Sequence, residues 1–324
     1  MNSHETRRVT ESDWPRTISI IGAAGLVGST VAAQLALSGI GQNLYLQDQK
    51  QNVLEAHVID LLDATTIVGN DTPKLHLGGP PTETADIVIV AASIAEVPDG
   101  DRRAFLNGNA EILKSLTPEI ERQVGGQGIV LLLSNPVDVL SHWFCTSTGF
   151  DASRVFGYAL NDSARFQSAV ASELEVRRSE VHGVVYGEHG KGQVPIASSI
   201  RVNGQRAALD PEMQSRIFSN IDGWFERWSE LRSGRSSGWA TGAGTAHLIK
   251  QLITERPVVA TAFTGAIPGL GETFMTLPVQ REAGVIHVQD LQVSDGELGQ
   301  LQTAASSIRQ AAESIDVSRW SCRS

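Results

Sequence analysis

Three side chains between residues 162 and 189 could together move a proton on a substrate that is held by its own carboxylate. Asp162 and Arg165 are three positions apart at the predicted start of a helix, so they should project from one helical face. An arginine presented in this way can hold a carboxylate through two parallel hydrogen bonds. His189 lies in a Gly-Glu-His-Gly loop at residues 187–190, and an imidazole with a carboxylate partner has a fixed tautomer and a raised pKa. The set therefore predicts reversible proton transfer near neutral pH.

Taken one at a time, these residues have ordinary structural explanations. An Asp–Arg pair with this spacing is common on exposed helices, and a lone histidine is more often structural than catalytic. It is the combination that favours catalysis. His182, Glu188 and His189 could also be read as metal ligands, but their spacing matches no zinc pattern, so no metal site is predicted.

A glycine-spaced segment follows the first apolar strand. Residues 22–28 read Gly-Ala-Ala-Gly-Leu-Val-Gly between the predicted strand Thr17–Ile21 and the predicted helix Leu26–Leu37. Such a turn is either a plain strand-to-helix connection or a cradle for a pyrophosphate at a helix N-terminus. Asp48, which ends the next predicted strand, Asn43–Gln47, favours the cradle, because a carboxylate there accepts ribose hydroxyls and repels a 2′-phosphate. NAD is therefore predicted, with contacts from Gly22, Gly25, Leu26, Val27, Gly28 and Asp48.

Strand-like and helix-like segments alternate through the first half of the chain. The predicted strands Ile87–Ala92 and Ile129–Leu133 are apolar on both faces, with the helix-like stretch Ala104–Leu116 between them. The pattern predicts an α/β fold whose doubly wound parallel sheet is covered by helices on both sides.

The pattern changes near residue 150. A predicted helix at Ser163–Leu174, a strand at Val181–Tyr186, hairpin material at Ser198–Gln205 and long helices at Met213–Arg232 and Asp295–Ala312 indicate a mixed α+β domain. The predicted organisation is a polar arm (1–16), a dinucleotide-binding domain (17–150) and a catalytic domain (151–324).

Composition excludes several classes of protein. The 324 residues carry 36 acids and 26 bases, for a net charge of -10, without a basic stripe, so nucleic-acid binding is not expected. No apolar run is long enough to span a membrane, and the first sixteen residues lack the apolar core of a secretory signal. Cys145 and Cys322 show neither disulfide nor metal spacing, so a cytoplasmic location is expected.

Five motifs in this order resemble those of the L-lactate/malate dehydrogenase family, and the resemblance runs from Arg16 to the C-terminal helix. They are the turn at 22–28, Asp48, the Ser-Asn-Pro-Val-Asp turn at 134–138, the Asp-Ser-Ala-Arg-Phe block at 162–166, and the loop at 187–190. The family implies an N-terminal Rossmann domain, NAD as cofactor, and reversible conversion of an L-2-hydroxy acid into a 2-oxo acid. It also implies a homodimer or homotetramer.

The resemblance assigns roles to the matching residues. His189 would exchange the hydroxyl proton, Asp162 would orient it, and Arg165 would hold the substrate carboxylate.

A further arginine and two asparagines would complete the site. Arg102 stands seven positions before Asn109, where the family's mobile-loop arginine polarises the carbonyl as the loop closes. Asn135 would lie beside the reacting carbon and the nicotinamide, and Asn109 would also contact the cofactor.

The mobile loop departs from the family pattern. Malate enzymes of the family carry a second arginine for the distal carboxylate of the substrate, and lactate enzymes carry a neutral residue. Here the position six before Arg102 is Glu96. A carboxylate facing a carboxylate in a closed pocket costs several kcal/mol, so oxaloacetate should fit poorly. Alternatively, the loop is shifted by one or two residues and Glu96 points to solvent.

Two other positions bear on the substrate. Lys191 replaces the usual aspartate after the catalytic loop and could meet Glu96 or receive a negatively charged substrate tail. Ser237, the predicted pocket floor, is small and polar and would admit a longer or hydroxylated side chain.

We therefore expect an NAD-dependent dehydrogenase acting on a non-standard 2-hydroxy acid with a polar neutral or cationic tail. The alternatives are an ordinary malate or lactate dehydrogenase with a rearranged loop, and a non-catalytic NAD-binding protein.

Overall fold

The computed structural model describes residues 14–82, 84–94 and 102–316, without the side chain of Arg102. The strands are β1 (Thr17–Ile21), β2 (Asn43–Gln47), β3 (Lys74–Leu77), β4 (Ala85–Val90), β5 (Val124–Leu132), β6 (Val155–Gly157), β7 (Val181–His182), β8 (Val185–Gly187), β9 (Gln193–Pro195), β10 (Arg201–Val202), β11 (Gln205–Arg206), β12 (Val258–Phe263), β13 (Phe274–Glu282) and β14 (Val285–Val288). The helices are α1 (Leu26–Leu37), α2 (Gln51–Ile67), α3 (Arg102–Gln123), α4 (Val137–Thr148), α5 (Leu160–Glu173), α6 (Pro211–Asp222), α7 (Trp224–Glu230), α8 (Gly238–Ile253) and α9 (Asp295–Glu313).

The central sheet has a parallel half that confirms the predicted doubly wound arrangement. Its strands run in the order β3-β2-β1-β4-β5-β6, all parallel. This order reverses between β1 and β4, and ligands of open α/β sheets bind beyond the carboxyl ends of the strands at such a point. The turn at 22–28 directly follows β1, so the fold places it at the reversal.

Both faces of the parallel half are buried, as the continuous apolar strands predicted. Ile87 and Ile89 of β4 face one hydrophobic cluster, while Val88 and Val90 face the other. Alternate side chains of a strand point to opposite faces, so a strand buried on both sides must be apolar at every position.

The sheet continues past residue 150. β6 pairs with β5 on one side and with β12 on the other, and antiparallel β12, β13, β8 and β9 extend it, with β14 on β13. A small sheet of β11, β10 and β7 lies apart from it and contains the predicted hairpin. The division into domains at residue 150 stays a prediction.

Two elements that were predicted to be continuous are each divided in two in the structure. The strand expected at Val181–Tyr186 is split into β7 and β8, which belong to different sheets. The helix expected at Met213–Arg232 is broken at Gly223, which ends α6 and begins α7. A Cβ at Gly223 would lie 2.8 Å from the Arg227 guanidinium, so this arginine packs directly over the break.

Among the described residues, no helix combines the length and the apolar content that crossing a membrane requires.

Candidate active site

Asp162 is the centre of a three-residue cluster. It lies in the first turn of α5, and its side chain is 3% exposed. Its Oδ2 lies 2.6 Å from Nδ1 of His189, and its Oδ1 accepts a hydrogen bond of 3.0 Å from Nη1 of Arg165. The start of α5 is tied to the strand before the His189 loop, because the Val185 N–H donates to the Ser163 hydroxyl. The structure thus brings together the three residues that the sequence singled out.

Contact with Asp162 determines which ring nitrogen of His189 donates to the carboxylate and raises the pKa of the imidazole. A carboxylate can only accept, so Nδ1 must donate to it, and Nε2 remains for exchange with a substrate. Burial lowers the pKa of His189, but the charge and hydrogen bond of Asp162, with a contribution from Asp138, outweigh burial and raise this pKa overall. The side chains of His189 and Arg165 are 17% and 19% exposed, so both can be reached by a ligand, whereas the Asp162 side chain is buried.

Asp138 is a second carboxyl at this loop, and no individual role was predicted for it. It lies in the first turn of α4 and is 1% exposed. Its Oδ2 accepts a 2.6 Å hydrogen bond from the main-chain N–H of His189, and its Oδ1 accepts one of 2.8 Å from the Thr261 hydroxyl. Burial raises the pKa of Asp138 to about 7, although these donors act in the opposite direction.

The turn after β1 has the shape of a phosphate cradle. A Cβ at Gly22, whose φ is 92°, would lie 2.5 Å from the Ala92 main-chain nitrogen, and one at Gly28 would overlap the Gly22 carbonyl oxygen. In the described residues no side chain caps the N-terminus of α1, whose N-cap is Gly25. The first N–H groups of a helix with no cap suit an anion.

Asp48 closes the other side of the cradle. It follows β2, and its carboxylate accepts hydrogen bonds of 3.1 Å from the main-chain N–H groups of Ala24 and Lys50. Half-buried Leu26 and Val27 lie in the first turn of α1 beside it. A glycine cradle, an uncapped helix N-terminus and a carboxylate fit a dinucleotide without a 2′-phosphate.

Comparison with known proteins agrees with this geometry. The family model described as lactate/malate dehydrogenase, NAD binding domain, matches residues 16–157. L-lactate dehydrogenase from Lactococcus lactis subsp. cremoris is 26% identical over 310 residues, which cover 93% of this chain and 98% of that protein. Malate dehydrogenase from Cryptosporidium parvum superposes with a TM-score of 0.82 at 25% identity, covering 93% of this chain and 98% of that one. For malate dehydrogenase from Salinibacter ruber the TM-score is 0.80 at 26% identity, with 92% and 97% covered.

Residues 16–157 match the NAD-binding domain of the lactate/malate dehydrogenase family, and the relatives and superposed structures over more than 90% of the chain support membership of that family. The chain's cofactor is NAD, and its activity is of the NAD-dependent lactate/malate dehydrogenase type.

Two predicted family positions, Asn109 and Asn135, are joined by a hydrogen bond. Asn109 is 1% exposed, and its Nδ2 donates to the main-chain carbonyl of Asn135 at 2.8 Å. Its Oδ1 accepts from the Ile94 N–H and the Ser93 hydroxyl at 2.9 and 3.0 Å. Asn109 therefore links the chain after β4 to the turn before α4, while the side chain of Asn135 is exposed. Their contacts with cofactor stay predictions.

The remaining family positions are placed only in part. Glu96 lies outside the described residues, and Arg102 begins α3, but its side chain also lies outside them. Lys191 is exposed. Ser237 is half-buried at the N-cap of α8, and the next residue, Gly238, packs on Leu26 of the cofactor turn, so Ser237 lies near the cradle. The described residues contain no cluster suited to a metal ion.

An aromatic residue that the sequence did not suggest also reaches the cluster. The guanidinium carbon of Arg165 lies 3.4 Å from the centroid of the Trp224 ring. A tryptophan in a helix usually signals core packing, and nothing in the local pattern distinguished Trp224 from the other five tryptophans of the chain.

Proposed function

We propose that this protein interconverts an L-2-hydroxy acid and the corresponding 2-oxo acid, using NAD. The observation that carries the proposal is the sharing of one carboxylate, Asp162, by His189 and Arg165. A proton carrier and a carboxylate anchor fixed to the same group are fixed relative to each other, as proton transfer to one position of a bound 2-oxo acid requires.

In the direction of reduction, each side chain has one task. Arg165 binds the substrate carboxylate through two hydrogen bonds. His189, protonated because its pKa is raised, donates its Nε2 proton to the carbonyl oxygen, and Asp162 stabilises the imidazolium that is present before transfer. NADH, when bound, supplies the hydride that reduces the carbonyl carbon. The products are the 2-hydroxy acid and NAD+, and His189 regains a proton from solvent.

We further propose that the preferred substrate has a polar neutral or cationic tail. Between Ile94 and Arg103 the loop contains Glu96, Asp99 and Asp101 against two arginines. One of these, Arg102, is predicted to act on the carbonyl, so a distal carboxylate would meet an excess of acids. The small polar Ser237 supports a tail longer than methyl.

A panel of 2-oxo acids with methyl, anionic, neutral polar and cationic tails, assayed by NADH consumption, tests the substrate. We expect the highest kcat/KM with a neutral polar or cationic tail. A strong preference for oxaloacetate would refute the substrate class, and a preference for pyruvate would indicate an ordinary lactate dehydrogenase.

His189→Asn tests whether the protein is an enzyme at this site. Turnover should be abolished while NADH binding, measured by fluorescence titration, stays unchanged. Unaltered turnover in the variant would refute the role of His189. A family member that binds NADH but turns over no 2-oxo acid even as the wild type would be the non-catalytic alternative.

The oligomeric state and the cytoplasmic location belong to the same proposal. A homodimer or homotetramer is expected from the family, and light scattering on the purified protein measures it directly.

A further inference from the structure

The guanidinium of Arg165 is fixed by two contacts of different kinds. In its plane, Nη1 donates to Asp162 at 3.0 Å. Over its face, the Trp224 ring lies 3.4 Å from the guanidinium carbon, which is well inside the range of a cation–π contact. The hydrogen bond fixes one edge of the group, and the ring fixes the orientation of its plane.

This matters because a two-pronged grip on a carboxylate requires the guanidinium and the carboxylate to share a plane. In the described part of the chain, Asp162 is the acceptor bonded to this guanidinium, so further N–H donors remain for a ligand. Without the indole, rotation about the Nη1 contact would carry those donors out of the plane in which the substrate carboxylate must lie.

Trp224 also stacks on a second tryptophan. Trp228, one helical turn later, stacks on it with centroids 5.2 Å apart and an interplanar angle of 16°. The Trp228 indole N–H donates to the main-chain carbonyl of Arg235 at 3.3 Å, two residues before Ser237. The tryptophan pair therefore connects the carboxylate anchor to the segment that leads into α8.

The break between α6 and α7 determines the direction in which the two tryptophans project. α6 ends at Asp222, and α7 begins with Trp224 immediately after Gly223. Arg227 secures the break by donating to the main-chain carbonyl of Asn220 at 2.7 Å. One uninterrupted helix would give the tryptophans a different direction, so the interruption and the stack form one local device.

We propose that Trp224 is a positioning residue for substrate binding, which holds the guanidinium of Arg165 in the plane that receives the substrate carboxylate. The inference rests on the proposed function of Arg165 as the carboxylate anchor. It differs from a purely structural role because it predicts a loss in carboxylate binding with little change in proton or hydride transfer.

The test compares Trp224→Leu with Trp224→Phe in the full-length enzyme. Leucine fills space without a π face, so KM for the best 2-oxo acid should rise about tenfold, which corresponds to about 1.4 kcal/mol. Because the contact exists before and during the reaction, kcat should change by less than about threefold. Phenylalanine restores a π face and should recover most of the loss.

Trp14→Leu is the matched control. Trp14 makes the same kind of contact, with the Arg281 guanidinium carbon 4.4 Å from its ring centroid, but it precedes β1 at the opposite end of the strands from the site. Its replacement should leave KM and kcat unchanged.

A second readout does not depend on turnover. Oxalate carries a carboxylate for Arg165 and cannot be reduced by NADH, so calorimetric titration of the enzyme–NADH complex measures the anchor alone. We expect Trp224→Leu to weaken oxalate binding by a factor similar to the rise in KM, with an unchanged dissociation constant for NADH.

The outcomes separate the two proposals. If no 2-oxo acid is reduced but oxalate binds the wild type and is lost in Trp224→Leu, the proposed function fails and the positioning role stands. Wild-type oxalate affinity and KM in a folded Trp224→Leu would overturn the positioning role and leave the function intact. Absence of oxalate binding to the wild type, or a loss confined to kcat, would also overturn it.

Discussion

Replacing Asp138 with asparagine should remove the titration of a buried carboxyl that contacts the loop at residues 187–190, with little change in the shape of the side chain. The carboxyl accepts the His189 main-chain N–H and the Thr261 hydroxyl at 2.6 and 2.8 Å. Asparagine keeps one acceptor oxygen for the main-chain N–H. Its amino group can donate to the Thr261 oxygen, because a hydroxyl rotates to accept as well as to donate. The substitution therefore isolates the effect of the charge.

The expected magnitude follows from the pKa. Burial raises the pKa of Asp138 from 3.8 to about 7, so the folded protein keeps this proton over a range in which the unfolded chain has lost it. The folded state then binds more protons between these two values, and stability falls as the pH rises through the window and levels off above it. The full difference corresponds to about 4 kcal/mol. About 2.5 kcal/mol of it falls between about pH 5 and about pH 8.

Urea denaturation across this range measures the effect as the free energy of unfolding of wild type and Asp138→Asn. Groups that do not interact with Asp138 act equally on both proteins, so the difference reports Asp138 together with its electrostatic coupling to His189. The wild type should lose about 2.5 kcal/mol more than the variant between about pH 5 and about pH 8.

Thr261→Val provides a directional control. It removes a hydrogen bond that lowers the pKa of Asp138, so this pKa should rise further. The pH range over which the free energy of unfolding falls should then extend to higher pH. Parallel stability curves for wild type and Asp138→Asn would show that Asp138 does not titrate near neutrality, and the reasoning from burial would be wrong.

Two further predictions concern the cluster around Asp162 and the turn at residues 22–28. Asp162→Asn should lower kcat by about a thousandfold to ten-thousandfold, because an amide neither holds the proton on Nδ1 of His189 nor stabilises the imidazolium. The NADH affinity of Asp162→Asn should stay unchanged, and turnover within tenfold of wild type would contradict the assigned role. Gly28→Ala should lower the free energy of unfolding by about 1–3 kcal/mol, since the methyl group of the introduced alanine would overlap the Gly22 carbonyl oxygen. Gly25→Ala, whose Cβ would lie 3.4 Å from the same oxygen, is the control and should leave stability unchanged in urea denaturation; equal losses in the two variants would refute the assignment.

The sequence predicted the start of the fold closely, because local signals delimit β1, α1 and β2. The bounds of β1, α1 and β2 agree with prediction to the residue. Gly22 ends β1, and Asp48 follows β2. Strands buried on both faces are also visible as uninterrupted apolar runs, so the parallel sheet could be derived from β4 and β5 without knowledge of any contact.

The second half contains features that no local pattern encodes. The break at Gly223 lies in a stretch whose apolar spacing suits one helix, and an isolated glycine is tolerated in helices. Trp224 meets the Arg165 guanidinium across 59 positions of the sequence. Asp138 meets the main chain of His189 across 51 positions. Contacts between elements far apart in sequence depend on how those elements pack, which periodicity does not specify.

The two carboxyls at His189 explain how a glycine-flanked loop can hold the side chain to which we assign proton transfer. Gly187 and Gly190 have φ values of 89° and 101°, which other residues rarely adopt, so the glycines permit the turn but add no rigidity. Asp162 holds the imidazole ring from α5, and Asp138 holds the main chain of the same residue from α4. Asp162 controls the protonation of His189, whereas Asp138 controls the position of its main chain. Loss of Asp162 should change the protonation of His189 and hence kcat, whereas loss of the Asp138 acceptor should shift the position of the whole residue. Asp138→Ala, which leaves the His189 N–H without this acceptor, should therefore impair the site even at a pH where Asp138→Asn does not.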